Sequence, residues 1–364
     1  MKKVEFQGSL YTILKHCQVT RFKEVLFVIP ETFKIYKQFN KGIYGNVVLC
    51  RDSLNSRNVV VKKCENVMCI DDYYKGPDQI YIYLERMYKE IEVLKFFKKN
   101  PSDVVVEMFD SYNINDDVYL VFEYVAYDLN IQFTHFGFSK DFRKVITYKL
   151  LRSLRLFEKS GIVHRDLKPS NILVDARDNT VKVCDFGLST NVGSPKSKGD
   201  VVTIWYRPIE LLLNSSEDSQ PSIDMWSFGC IVAELFLGNP LFPGKNYKEM
   251  VCKILGTIGK PDLTKVKLKG CEDGLFWVQN IRIVPYLGTL NKIKDKYIVD
   301  LILRCLSYDT ENRITAEEAM KHILFDDIRK NEDFEEPTSV FQSSFKDEWK
   351  PKEIRDHLIK MLSN

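Results

Sequence analysis

The chain has 364 residues, long for a single small core and suited to about two domains; its 45% hydrophobic content is that of folded rather than disordered protein. Fifty-three basic residues against 50 acidic ones leave a net charge of +3, too even a balance to expect nucleic acid as the main ligand. Nine scattered cysteines form neither a disulfide framework nor a zinc spacing, there is no signal-peptide core at the N-terminus, and no apolar run nears the roughly 18 residues of a membrane span. Reduced thiols in the cytoplasm or nucleus, and no membrane partner, are the expectation.

In chain order, residues 1–30 are a mixed prelude without a clear pattern apart from the apolar run 25–29 before Pro30, which reads as a strand. Two β-rich stretches, 33–39 and 47–51, bracket Asn40-Lys41-Gly42-Ile43-Tyr44-Gly45, whose glycines permit a tight hairpin with backbone open to phosphate. A third strand, 59–61, ends in Lys62; strand alternation puts Val60 and Lys62 on one face, Val61 and Lys63 on the other. Residues 64–78 read as an extended connection containing Gly76-Pro77. A helix over about 79–98 follows, with Leu84, Met87, Ile91 and Leu94 as its inward stripe. Glu90 shares that stripe, where a carboxylate is costly unless paired, and Lys62 is its natural partner. Glu85 and Glu92 are expected on the solvated face. Strands are expected over 104–109 and 118–124, and Asp128 just beyond them reads most simply as a helix cap. Residues 139–160 form an amphipathic helix with Phe142, Val145, Ile146, Leu150, Leu154 and Phe157 on its apolar side, ended by Gly161.

The stretch that carries chemistry is His164-Arg165-Asp166-Leu167-Lys168-Pro169-Ser170-Asn171, followed, fourteen residues past Asn171, by Asp185-Phe186-Gly187. Phosphoryl transfer calls for such groups: a carboxylate for the attacking hydroxyl's proton, a cation for the moving phosphoryl, and an amide with a second carboxylate for Mg²⁺. The order H-R-D-x-x-x-x-N then D-F-G resembles the protein-kinase signature. Around it, Gly42, Gly45 and Val47 match G-x-G-x-x-G-x-V with Asn40 at the first glycine, and Val59-Val60-Val61-Lys62 matches V-A-I-K, which favours Lys62 over Lys63.

The resemblance implies an α+β, bilobal protein-kinase fold: a β-rich N-lobe with one main helix over residues 27–125, a mainly helical C-lobe over 126–325, an N-terminal extension over 1–26, and a tail over 326–364 returning to the N-lobe. It implies ATP and Mg²⁺ as cofactors. Asp166, Lys168, Lys62 and Glu90 would be the catalytic set, and Asn171 and Asp185 the metal ligands. Phe39, Gly42, Gly45, Val47, Val60, Lys62, Phe122, Glu123, Val125, Asp128 and Leu173 would line the nucleotide pocket, with backbone hydrogen bonds from Glu123 and Val125. Arg313 would clamp Glu210, and Asp224 to Gly229 would open a central buried helix.

Thr203-Ile204-Trp205-Tyr206-Arg207 resembles the branch of cyclin-dependent and mitogen-activated kinases, implying a preference for Ser/Thr-Pro sites in protein substrates. Residues 27–31, 241–247 and the tail are similar to mitogen-activated kinases in particular. In the tail, Glu332, Asp333, Glu335 and Glu336 are either a solvated face or a docking patch for basic peptides; Phe341, Phe345 and Trp349 would anchor it to the small lobe; and Pro351 opens a last helix with Ile354, Leu358 and Leu362 on one face. A monomer is expected. One departure stands out: Lys198-Gly199-Asp200 occupies the place of the Thr-x-Tyr phosphorylation motif, and Lys89 and Thr190 stand where relatives carry arginines.

Overall fold

A computed structural model describes residues 2–6, 9–13, 16–39, 45–70, 76–135, 137–194, 204–213, 219–262, 272–283, 288–329 and 337–363. The chain divides into two compact units, one of Met1–Pro101, Val106–Tyr124 and Ser344–Asn364, the other of Ser102–Val105 and Val125–Ser343.

The first unit opens with two antiparallel hairpins, β1 (Lys2–Phe6) with β2 (Ser9–Ile13) and β3 (Cys17–Phe22) with β4 (Val25–Pro30), in the stretch that showed no pattern beyond its one apolar run. Its centre is a five-stranded antiparallel sheet of β5 (Phe33–Gln38), β6 (Asn46–Asp52), β7 (Arg57–Cys64), β8 (Met108–Ile114) and β9 (Asp117–Glu123), in the order β5-β6-β7-β9-β8. Strand alternation sends Val48, Cys50, Val59, Val61 and Val121 to one face, where they pack with Phe27 and Ile29 of β4. Two tyrosines tie that hairpin down: Tyr112 Oη donates to the Val28 carbonyl (2.9 Å), and the Val28 N–H donates to Tyr119 Oη (3.2 Å). Their rings stack at 5.1 Å, so the apolar bodies are buried while each hydroxyl finds a backbone partner.

Helix α1 (Pro77–Lys99) covers the sheet and begins at a proline, whose missing N–H costs nothing in a first turn. The strand expected over 104–109 starts four residues later. Val104 to Val106 are buried but not in the sheet, because the Val104 carbonyl accepts from Val183 in the second unit's own hairpin (2.9 Å). Helix α10 (Pro351–Ser363) packs against α1 and β8 with Ile354, Leu358 and Leu362 buried, as its spacing predicts. Burying each is worth about 1.5–3 kcal/mol.

In the second unit, β10 (Tyr127–Asp128) leads into α2 (Leu129–His135), then α3 (Lys140–Lys159), β11 (Ile162–Val163), the hairpin of β12 (Ile172–Asp175) and β13 (Thr180–Val183), and β14 (Thr190–Asn191). Ser139 caps α3, its Oγ accepting from Phe142 N (3.1 Å). After α4 (Ile209–Leu212) comes α5 (Pro221–Leu237), apolar all round and buried accordingly. Then follow α6 (Tyr247–Ile258), α7 (Glu272–Asn280), α8 (Lys296–Cys305) and α9 (Ala316–Met320). Helices α5 and α8 meet at Gly229, where an added Cβ would lie 2.7 Å from Cys305 Cβ. No described helix is long and apolar enough to cross a membrane.

The tail divides. Phe341, expected to anchor on the small lobe, belongs instead to the second unit: its N–H donates to the Ser160 carbonyl (2.8 Å) and its carbonyl accepts from Asn191 Nδ2 (2.7 Å). From Ser344 onward the chain packs on α1.

Arg313 is the electrostatic anchor of the second unit. Its guanidinium meets Glu210 at 2.7 and 3.1 Å and also donates to the Ser222 and Ser307 carbonyls, with the two side chains 0% and 3% exposed. Such a pair is dangerous to halve, because the surviving charge stays buried and unpaired. Arg313→Ala is expected to lower stability by about 3–5 kcal/mol, read as a shift of the urea midpoint; a loss below about 1 kcal/mol would show that Glu210 finds another partner.

Candidate active site

The loop from His164 to Asn171 is held from below by one carboxylate. Asp224, in the first turn of α5 and 3% exposed, accepts from the backbone N–H of His164 (2.7 Å) and of Arg165 (2.8 Å). Burial pushes its carboxyl up, opposed by those same N–H groups and by the His164 and Arg165 side chains. Arg165 itself sits at φ +68°, a left-handed backbone unusual for a side-chain-bearing residue. The two amide bonds to Asp224 fix that turn.

His164 is fully buried, its ring 6.0 Å from Phe157 and 5.0 Å from Phe186. Burial pulls its pKa down, which favours neutral imidazole. A neutral ring has one donor and one acceptor, and both are used: Nδ1 accepts from Asp166 N (3.3 Å), and Nε2 faces the Cys184 carbonyl (3.2 Å). This histidine therefore joins the backbone around Asp166 to the backbone beside Asp185. It is a positioning group.

On the open side of the loop, Asp166 Oδ2 receives Lys168 Nζ (2.7 Å) and Asn171 Nδ2 (3.1 Å), and Asn171 Nδ2 also donates to the Asp166 carbonyl (2.9 Å). Burial pushes the Asp166 carboxyl up and nearby Asp185 pushes the same way; Lys168 and Asn171 oppose them. Asp185 follows the β12–β13 hairpin. Its register pairs Ile172 with Val183, and Cys184 N donates to the Asn171 carbonyl (3.0 Å), so Asn171 and Asp185 emerge at the same end. That pairing is the structural content of the fourteen-residue spacing. Asp185 lies at φ +66°, a region aspartate tolerates better than most residues.

Asn171 spends its amide nitrogen on Asp166, and its Oδ1 takes no hydrogen bond from a described residue. Asn171 Oδ1 and the Asp185 carboxylate would together make a sparse ligand set. Sparse protein ligation suits Mg²⁺, which keeps waters and shares substrate phosphates rather than taking an all-protein cage.

In the first unit, Lys62 on β7 lies opposite Val47 on β6 and Leu120 on β9, and its Nζ meets both Glu90 oxygens, at 2.9 and 3.0 Å. The lysine expected on the Val60 face is thus the one that pairs with Glu90. Lys63, turned the other way, binds Asp117 (3.0 Å) and Glu65 (3.3 Å). Glu85 departs from its expected solvated face: it is buried and paired with buried Lys89 at 2.6 Å, one helical turn on. Burial is tolerable there because each charge neutralises the other and Phe345 lies 5.1 Å from the ammonium.

Of the other expected pocket residues in this unit, Val47, Val60 and Phe39 are half-buried, Phe122 is buried, and Phe39 N donates to the Val47 carbonyl (2.9 Å). Gly45, at φ +144°, has the Lys63 carbonyl so close that an added Cβ would sit 2.1 Å from it, so only glycine fits. Gly42, with Asn40, lies outside the described residues. Glu123 has its N–H committed to the Glu107 carbonyl (3.0 Å), so the backbone hydrogen bonds expected of it cannot include that donor. In the second unit, Val125 and Leu173 are half-buried, and Asp128 pairs with Leu173 across β10–β12. Asp128 also caps α2, Oδ1 accepting from Ile131 N (2.8 Å), which is its simpler reading. Asp224 as loop clamp and His164 as backbone bridge were missed. A carboxylate inside an otherwise apolar helix is the signal that could have found Asp224.

A carboxylate with an amine and an amide on one loop, and a second carboxylate one hairpin register away, is the donor set of phosphoryl transfer. A model of the protein kinase domain matches residues 33–325. Mitogen-activated protein kinase 14 of Xenopus laevis is 31% identical over 342 residues, 90% of each chain. Mitogen-activated protein kinase HOG1 of Chaetomium globosum is 33% identical over 298 residues, 81% of this chain and 79% of its own. The spk1 kinase of Schizosaccharomyces pombe, also a mitogen-activated protein kinase, is 32% identical over 308 residues, 81% and 78%. The chain belongs to the protein kinase family and is a serine/threonine kinase of the mitogen-activated type.

If Asp166 must be ionised to work, its raised pKa sets the acid limb of activity. The limb of kcat/KM is expected above the ordinary carboxylate range, and Lys168→Met should move it to still higher pH in the residual activity, because the cation that lowers the Asp166 pKa is gone. A limb that moves down in that variant would assign it to another group.

Proposed function

We propose that the chain transfers the γ-phosphoryl group of Mg-ATP to Ser or Thr followed by Pro in protein substrates, as a signalling kinase of the cytoplasm or nucleus. The observation that carries this reading is the Asp166 carboxylate, held at 2.7 Å by Lys168 and 3.1 Å by Asn171 and pushed towards proton affinity by burial. Asp166 orients the substrate hydroxyl and accepts its proton. Lys168 steadies charge on the transferring group. Lys62, fixed by Glu90, takes the α- and β-phosphates; Asn171 Oδ1 and Asp185 hold Mg²⁺, which when bound neutralises phosphate oxygens. Val47, Val60, Phe122, Val125 and Leu173 offer apolar surface to the base, and Asp128 a carboxylate to the ribose. The proline preference rests on the likeness of residues 203–207 to this branch of kinases. Basic docking peptides at Glu332, Asp333, Glu335 and Glu336 remain part of the proposal; those residues lie outside the described ones.

The cyclin-dependent alternative needs a partner on the helix carrying Glu90. Helix α1 is instead covered by the chain's own residues: Phe345 and Trp349 lie 5.6 and 5.7 Å from the Tyr88 ring, and α10 packs alongside. That observation favours a kinase of the mitogen-activated type, complete as a monomer.

Activation, we infer, does not use a Thr-x-Tyr pair. Lys198 and Asp200 stand at those positions, outside the described residues, and Lys89, which replaces an arginine of the usual phosphate cradle, is already neutralised by Glu85. In the phosphate-free version Asp200 serves Arg207 as a permanent anion, and intact-mass measurement of the active enzyme should show no stoichiometric phosphate needed for turnover; activity lost on phosphatase treatment and regained with one phosphate on Ser194 or Ser197 would reject that version in favour of a relocated phosphosite.

Asp185→Asn should cut transfer to a Ser-Pro peptide by at least about 10³-fold with the circular-dichroism spectrum unchanged, and the wild type should prefer that peptide to its Ser-Ala counterpart by about tenfold or more. Wild-type rates in the variant would sink the assignment of the site, and equal rates on the two peptides would sink the proline preference.

A further inference from the structure

The outer face of α1 carries contacts that phosphoryl transfer does not use. Tyr88 and Glu92, one turn apart, both reach Ser344. The Ser344 N–H donates to Glu92 Oε1 (2.7 Å), its Oγ donates to the same oxygen (2.5 Å), and Oγ lies 2.7 Å from the Tyr88 hydroxyl. These bonds begin the docked tail, whose next anchors are the Phe345 and Trp349 rings on Tyr88 and the buried residues of α10. Ser344 is nevertheless exposed, so the hydroxyl that opens the tail lies at the surface.

The hydroxyl bond to Glu92 lasts only while Ser344 Oγ has a proton to give. A phosphate ester has none to give and brings about −1.5 to −2 charges against a carboxylate that now touches the same side chain. On α1 itself, the Lys89 charge beside the docked tail is already paired with Glu85 (2.6 Å). We propose that Ser344 is a phosphorylation site, and that phosphate there expels residues 344–363 from α1.

The local sequence fits a second enzyme. Phe345 rather than proline follows the serine, which sets the site apart from the chain's own proposed specificity, whereas Asp347 and Glu348 suit a serine kinase that selects carboxylates C-terminal to its target. In that step Ser344 Oγ bonds to the γ-phosphorus of ATP. The bond from that phosphorus to the β-bridging oxygen breaks with its electrons leaving on ADP, and the hydroxyl proton passes to the modifying enzyme.

The test is hydrogen exchange on the full chain with phosphoserine encoded at position 344, against the unmodified chain and Ser344→Ala. Amides of residues 345–363 should exchange about tenfold faster in the phosphorylated chain, Ser344→Ala should give a smaller change, and Glu92→Gln should reverse most of the phosphate effect. Unchanged or slower exchange, an alanine variant equal to the phosphorylated chain, or an acceleration that survives Glu92→Gln would each overturn the proposal. So would failure of an acid-directed serine kinase with ATP to add one phosphate at Ser344. Exchange is read without turnover, so failure here is distinct from failure of the roles assigned to Asp166 and Lys62.

Discussion

One buried carboxylate fixes the loop that carries Asp166, Lys168 and Asn171 in the larger unit. Asp224 accepts two consecutive amides from the loop, which holds Arg165 in a left-handed turn and presents Asp166 next to Lys168 and Asn171. A charge this deep would be costly alone. It is tolerable because the backbone N–H groups it satisfies would otherwise be buried without partners, so each side of the contact removes the other's penalty. His164 continues the same logic by using both ring nitrogens on backbone groups, which ties the Asp166 segment to the residue before Asp185 without adding a charge. The groups proposed to react, Asp166, Lys168 and Asn171, therefore sit on a short loop whose freedom is removed by Asp224 and His164.

The smaller unit solves a different problem, that of carrying several charges on a helix that must also be buried. Glu90 is matched across the sheet by Lys62, and Glu85 along the helix by Lys89. The two pairs use adjacent residues, 89 and 90, that point to different sides of α1. One side meets the sheet; the other is roofed by the tail aromatics. Moving either carboxylate by one position would leave a lone charge under an apolar cover, which links the register of the helix to the docking of the tail.

Much of this was legible in the sequence, for identifiable reasons. Spacing along single elements was readable: Lys62 and Val60 on one strand face, Ile354, Leu358 and Leu362 on one helix face, and the Asn171-to-Asp185 interval set by a hairpin. Partners distant in sequence were not. Glu85 looked solvated because nothing near it in the chain announces Phe345; Phe341 was given to the wrong unit because its aromatic ring suggests a pocket while its backbone makes the decisive bonds. Val104 to Val106 read as strand formers, yet the strand begins only at Met108, because the Val104 carbonyl is taken by Val183 of the β12–β13 hairpin. Hydrophobic pattern reports that a residue is buried; it does not report against what.

The stitching by Asn191 has a temporal side. Its amide nitrogen holds the Phe341 carbonyl and its amide oxygen receives the Ser343 N–H (2.9 Å), bonds spanning 150 and 152 residues, while Glu92 and Ser344 are 252 apart. Contacts that distant close slowly, because the chain entropy of a long loop is lost before any bond compensates it. During synthesis, both units must therefore wait with an exposed seam (the Ser160 carbonyl and Asn191 amide on one, the Tyr88 ring on the other) until residues beyond 340 emerge. A chain interrupted at residue 325, where the match to the kinase domain ends, would leave both seams permanently open.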